Sequence, residues 1–235
     1  MNPFDRSIAL FLNQFVRGSW AFDQAIAFLS VNHLLKGGVL MMIFWGAWFW
    51  RAELRSGARE HLMATVLSSI LALAIARLLI LMLPFRPRPL YEASLGLTRP
   101  YGVAERALDG LSSFPSDHAV LFFCLATGFF FVSRTVGWLA LIYTAVFIAL
   151  PRLYLGLHYA SDILVGGLLG AAVCVAGNLL LPRRRSMHWL NEHSHATPWI
   201  FYPCLFLVTY QISDLFENSR NLIGGAFKLV GQVIG

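Results

Sequence analysis

Long apolar stretches alternate with short polar connections along the whole chain, and their lengths predict helices. Residues 4–16 place Phe4, Ile8, Phe11, Leu12 and Phe15 on one helical face, and a second short helix follows at about Phe22–Val31. Neither reaches the ~20 residues needed to cross ~30 Å of hydrocarbon, so both are expected to lie along the membrane surface. Longer runs follow at about Leu34–Trp50, Leu62–Leu83, Ser116–Val132, Val136–Leu150 and Ser161–Leu181. The first ends in an aromatic belt of Phe44, Trp45, Trp48, Phe49 and Trp50, and Arg77 alone interrupts the second. Gly166, Gly167, Gly170 and Ala171 in the last run let helix backbones approach closely in lipid. A sixth, shorter run at about Trp199–Ile212 carries Pro203, and the tail Asn221–Gly235 reads as a weak amphipathic helix or as disordered. The pattern therefore predicts an all-α, multi-pass transmembrane bundle of five to six spanning helices. It divides into N-terminal interfacial helices (1–33), a core (34–182) and a C-terminal segment (183–235).

Composition agrees with a membrane protein. Of the 235 residues, 57% are hydrophobic and only 13% are charged, against about one quarter charged in ordinary soluble domains. The formal net charge of +6 does not imply nucleic-acid binding, because the basic residues lie in short connections and act there as topology signals. Arg51, Arg55 and Arg59, then Arg134, then Arg183, Arg184 and Arg185 fall in alternate connections. The positive-inside rule assigns them to the cytoplasm. Met1–Val16 carries acid as well as base and lacks a small-residue cleavage site, so an internal helix is expected to direct insertion. Cys124, Cys174 and Cys204 lie inside apolar runs and read as small hydrophobes. His188, His193 and His195 read as surface histidines without partners at metal-ligand spacing.

Three polar patches remain, and the same alternation puts all of them on the opposite, extracytoplasmic face. The first, Arg86-Pro87-Arg88-Pro89, stops a helix and offers guanidinium forks that match phosphate oxygens or facing headgroups. The second, Pro115-Ser116-Asp117-His118, opens a helix whose free N–H groups suit an anion. There Ser116 can donate a hydroxyl and His118 can protonate a leaving oxygen; the same motif also reads as a plain cap by Ser116 or Asp117. The third is Arg152, His158 and Asp162. With a helix starting near His158, Asp162 lies four residues on and shares its face, so it can hold one ring nitrogen protonated and leave the other as nucleophile. A structural His/Asp hydrogen bond is the plainer reading. The loop Leu90–Phe114, with Glu92, Arg99, Tyr101, Glu105, Arg106 and Asp109, is either a headgroup grip or a solvated lid.

In order and internal spacing, Arg88-Pro89, Pro115-Ser116-Asp117-His118 and Pro151-Arg152…His158…Asp162 resemble the three-part signature of the type 2 phosphatidic acid phosphatase (PAP2) family, over roughly residues 34–182. The resemblance implies a phosphohistidine on His158, with Asp162 as its orienter and His118 as the acid. It also implies a phosphate held by Arg88, Arg152, Ser116 and the backbone N–H of Asp117, with Arg86 as a further contact, and no metal or cofactor. Three positions depart from the family pattern. Leu81, or Leu79 in the alternative register, stands where a Lys is usual; Asp117 replaces Gly; Pro151 replaces Ser. Arg77, one turn before Leu81, either supplies the missing charge or pairs inside the bundle. Within the family the chain looks most like bacterial undecaprenyl-diphosphate phosphatases. This implies a multi-pass inner-membrane enzyme that takes a lipid phosphate from the bilayer and releases phosphate on the periplasmic face, in lipid-carrier recycling for cell-wall synthesis. Two other readings stand beside it. One is a phosphatase or phosphotransferase for phosphatidylglycerol phosphate, phosphatidic acid or lipid A; the other is a non-catalytic lipid-phosphate binding or transport protein.

Overall fold

The computed structural model describes residues 2–50, 57–105, 110–182 and 185–234. Arg51, Arg55, Arg106, Asp109, Arg183 and Arg184 lie outside the described residues, as do the side chains of Arg185 and His188. Every regular element among the described residues is helical. They are α1 (Pro3–Asn13), α2 (Trp20–Val31), α3 (Val39–Phe49), α4 (Ala58–Met82), α5 (Asp117–Phe129), α6 (Arg134–Tyr143), α7 (Leu150–Tyr154), α8 (Ala160–Leu180), α9 (Arg185–Ala196), α10 (Pro198–Ser213) and α11 (Glu217–Ile234).

Among the described residues three helices are long and apolar enough to cross a bilayer: α4, α8, and the continuous run Arg134–Tyr154 that joins α6 to α7 through a π-helical stretch at Thr144–Ala149. Two bent pairs raise the total to five if each is one span. Trp20–Val31 meets Leu34–Phe49 at 69°, and Pro198–Ser213 meets Glu217–Gly225 at 90°. The all-α, multi-pass bundle expected from the sequence is thus the architecture seen, with three to five candidate spans and two bends that the apolar pattern did not indicate. Apolar length cannot report a bend, and here the direction changes at Asn32, which takes an extended ψ of 113°. α5 has only 13 residues, or roughly 20 Å at 1.5 Å per residue.

α5 sits against α4, α6 and α8 at the centre. Phe44, Trp48, Leu62, Phe122, Phe129 and Ile212 form the main core around it. Small residues set the spacing of α8. A Cβ at Gly170 would stand 2.0 Å from the Val120 carbonyl oxygen, and one at Gly166 would stand 2.9 Å from that of Ser116. Only hydrogen at these positions lets α8 lie backbone to backbone on α5, which brings the N-terminal ends of both helices together. Outward faces are hydrocarbon, with Leu71, Leu78, Leu168 and Leu179 all exposed. The expected role of the Gly-rich run is thus seen directly.

Candidate active site

The site assembles where α5 and α8 begin. α7 ends at Tyr154 with Leu155 as its C-cap, Gly156 takes a left-handed φ of +65° that returns the chain, and His158 follows two residues before α8. The N–H groups of Leu157 and His158 both donate to the Arg152 carbonyl, at 3.0 and 3.3 Å. This tight return is the physical content of the Arg152–His158 spacing. Across from it, Ser116 caps α5 by accepting the Ala119 N–H at 3.4 Å, which presents Asp117 and His118 at the first turn.

His158 is buried. Its Nδ1 donates to the Ser113 carbonyl oxygen at 2.8 Å, and its Nε2 accepts from Arg88 Nη1 at 3.3 Å. A carbonyl can only accept, so Nδ1 carries the proton and Nε2 keeps its lone pair. Burial pushes the His158 pKa down; the charges of Arg88 and Arg152 push the same way, against the carboxylates of Asp162 and Asp117. Asp162 stands 3.8 Å from Nδ1, outside hydrogen-bond range. Because His158 precedes α8, Asp162 falls in the helix's first turn. There its Oδ2 accepts the Tyr159 N–H at 2.7 Å, and its Oδ1 accepts from Arg86 Nη1 at 2.5 Å. The ring is therefore oriented by Ser113, and Asp162 acts on it only as a nearby charge.

His118 is set up the opposite way round. Asp117 Oδ1 accepts from both the backbone N–H of His118, at 2.8 Å, and its Nδ1, at 2.7 Å. Nε2 accepts from Arg152 Nη2 at 2.6 Å. Asp117, in place of the expected glycine, thus turns His118 into one half of an Asp–His pair. Arg77 Nη2 donates to Asp117 Oδ2 at 2.7 Å. Arg77 thus has an internal partner within the site, and Arg77 itself lines the cavity that holds Arg88 and Arg152. Leu81 is 81% exposed on the outer face of α4 and takes no part.

Arg88 and Arg152 converge on the histidines, but Arg86 does not. Arg88 is buried and held by the carbonyls of Leu157 at 2.8 Å and Leu111 at 3.2 Å. Arg152 also donates to the Ser30 carbonyl at 3.0 Å, and its Nε has no partner among the described residues. Arg86, expected on the phosphate, is committed to two carboxylates instead. Beside Asp162 it meets Asp5 Oδ2 at 2.7 Å and stacks over the Tyr159 ring. Ser116, expected to donate its hydroxyl, is fully buried as a cap and lies outside the cavity lining. The Arg86 correction has a simple reason: partners 76 and 81 residues away leave no mark on local spacing.

A cavity of about 520 Å³ opens on these groups, with Asp117, His118, Arg88, Arg152 and His158 in its wall. Gly102, Val103, Leu111 and Ser112 of the 90–114 loop also line it, so this loop is part of the site. The loop is moored to the N-terminal helices: Asn13 Nδ2 donates to the Thr98 carbonyl at 2.8 Å, and Arg17 Nε to that of Arg99 at 2.9 Å. Three contributors were not read from the sequence: Asp5, the Ser113 carbonyl, and Lys36, a buried residue in the cavity wall. A lone Lys inside an apolar run is the one signal that pointed to it. Cys124 and Cys174 are buried, as expected, whereas Cys204 is exposed. Among the described residues no group of three or more His, Cys, Asp or Glu side chains is arranged to hold a metal.

The PAP2 superfamily profile matches residues 62–186, more than half of the chain. Among curated proteins, "Bacitracin transport permease protein BcrC" of Bacillus licheniformis is 41% identical over 59 residues, covering 25% of this chain and 29% of that protein. "Putative undecaprenyl-diphosphatase YbjG" of Escherichia coli K12 is 36% identical over 80 residues, 34% of this chain and 39% of that protein. "Lipid A 1-diphosphate synthase" of Escherichia coli K12 is 28% identical over 194 residues, 77% of each chain. The alignments with the first two thus span well under half of either relative. No solved structure matches the chain.

Proposed function

The chain belongs to the PAP2 superfamily, and on that premise we propose that it is an integral-membrane lipid phosphatase. Its substrate is a lipid diphosphate, with undecaprenyl diphosphate first among them. The observation that carries this reading is the opposed wiring of the two histidines: His158 presents an unprotonated Nε2 beside Arg88, and His118 is backed by a carboxylate. A binding protein needs neither arrangement; a double displacement needs both.

The terminal phosphoryl group enters between Arg88 and Arg152, which hold its non-bridging oxygens and the charge that develops on them. His158 Nε2 attacks phosphorus in line. The N–P bond forms as the bond to the bridging oxygen breaks. His118, protonated on Nε2 with Asp117 supporting the imidazolium, gives that proton to the departing lipid phosphate. Arg152 donates to His118 Nε2, and burial together with the Arg152 charge holds the His118 pKa well down. An arriving phosphate takes the guanidinium as its own donor and offsets its charge, so His118 Nε2 takes up a proton from water as substrate binds and carries it into the transfer. Water then attacks phospho-His158 while His118 takes up the water's proton; inorganic phosphate leaves and both rings return to their starting states. Guanidinium groups supply the positive charge throughout, without a metal. The similarity to "Putative undecaprenyl-diphosphatase YbjG" supports the substrate.

The test is phosphate release from undecaprenyl diphosphate by the purified protein in detergent with a chelator present. Turnover that vanishes with chelator contradicts the metal-independent mechanism. A second reading keeps the site and changes the acceptor: the phosphoryl group on His158 passes to another lipid. It is favoured by the match to lipid A 1-diphosphate synthase over 77% of both chains. A panel of acceptor lipids, scored for labelled lipid product against free phosphate, separates the two.

A further inference from the structure

Lys36 is a cation in the catalytic cavity that the phosphoryl-transfer scheme leaves unused. It is 4% exposed and lies in a π-helical turn, Leu34–Gly38, between α2 and α3. The turn is fixed from three sides. The Lys36 N–H donates to the Asn32 carbonyl at 3.0 Å, and the Tyr143 hydroxyl donates to the Leu35 carbonyl. Gly37 lies so close to the end of α10 that a Cβ there would stand 2.2 Å from the Ser213 carbonyl oxygen. Single π turns inside helices recur at functional sites because they re-aim a side chain. This one turns an ammonium toward the same cavity that His158, His118, Arg88 and Arg152 line.

No ion pair or hydrogen bond of that ammonium is found among the described residues. Glu217, Asp117 and Asp214 act on it only from a distance. Asp117 is engaged by Arg77 and His118, and Glu217 faces His33 at 3.8 Å. The Lys36 stem is buried while its ammonium opens on the cavity without a carboxylate in ion-pair range among the described residues, so an anion entering the cavity meets a largely desolvated cation that is free to pair with it. The anion held by Arg88 and Arg152 already has its donors. We propose that Lys36 forms a second phosphoryl subsite, which takes the lipid-proximal phosphate of a diphosphate whose terminal phosphate lies at His158. The subsite rests on the phosphatase reading above and sharpens it: it makes the protein selective for diphosphates over monophosphates. Lys36 comes from outside the three polar patches, on the N-terminal side of the matched family region.

The test uses the full chain purified in detergent and two non-hydrolysable probes, methylenediphosphonate and methylphosphonate, with binding measured by calorimetry. The wild type is expected to bind the diphosphonate about 10- to 100-fold more tightly, the range for one charge-assisted contact. Lys36→Met is expected to reduce that preference below about threefold, and Lys36→Arg, which keeps a cation, to retain most of it. Three results overturn the subsite: no diphosphonate preference in the wild type, an intact preference in Lys36→Met, or an equal loss for both probes in Lys36→Met with Lys36→Arg failing to restore either. Turnover is scored in parallel. A protein that shows the Lys36-dependent preference but releases phosphate from no lipid overturns the phosphatase reading and leaves the subsite standing. One that releases phosphate without the preference overturns the subsite alone.

Discussion

The two nitrogens of His158 face different partners, and that difference decides what the residue can do. Nδ1 is tied to a backbone carbonyl, so the lone pair sits on Nε2 beside Arg88. Protonation of Nε2 would remove the nucleophile. Burial pushes the pKa below its ordinary 6.5, so the acid limb of kcat/KM, on which Nε2 gains a proton, should be centred below 6.5. A pH profile of kcat/KM checks the sign; an acid limb centred above 6.5 contradicts it. At this scale the sequence carried residue types and spacings well, since Arg88, His118, Arg152 and His158 all reach one cavity. It carried partners poorly. Asp162 as the hydrogen-bonded orienter and Arg86 as a phosphate ligand both followed from proximity along the chain, whereas the real partners are a carbonyl 45 residues from His158 and a carboxylate 81 residues from Arg86.

Helices are the unit that brings these residues together, and the contact of α5 with α8 is the critical one. Gly170→Leu would drive a side chain into the Val120 backbone, where even a Cβ stands 2.0 Å from the carbonyl oxygen. The expected loss is at least about 1–3 kcal/mol of stability, with kcat reduced because His118 lies on one of the separated helices and His158 just ahead of the other. Thermal unfolding and turnover of the same preparation check both. The apolar runs and the small-residue stripe were legible because they are local and periodic. The role of α1 was not. Asp5, fully buried, accepts the Ser161 N–H at 2.8 Å, 156 residues away, and clamps α1 to the start of α8. Burial raises the Asp5 pKa, but hydrogen bonds from Ser161 and the charge of Arg86 outweigh this and lower it. A depressed carboxylate stabilises the fold at neutral pH, and that stabilisation is lost as pH falls below the unfolded value of about 3.9 and through the folded one. Asp5→Ala should cost about 3 kcal/mol near neutrality, a gap to the wild type that narrows below about pH 4.

In the whole molecule, a hydrocarbon exterior encloses a polar cavity at one end of the bundle. Arg59 and Arg134 lie at the opposite ends of α4 and α6 from that cavity, as charge alternation requires. In intact cells, single cysteines placed at Gly96 or Gly110 should react with an impermeant maleimide, and one placed at Arg134 should not. The reverse pattern would put the site in the cytoplasm. The architecture was legible because the membrane leaves few choices. The two bent pairs were not, since 69° and 90° turns come from packing against neighbours rather than from apolar length.

The central claim is that His158 carries the phosphoryl group. Rapid quenching of the protein with undecaprenyl diphosphate labelled in its terminal phosphate, followed by peptide mapping, tests it most directly. The expected result is an acid-labile, alkali-stable phosphate on the peptide containing His158 that chases to free phosphate, and neither label nor turnover in His158→Ala. Turnover preserved in His158→Ala, or a chaseable label on another residue, would contradict it.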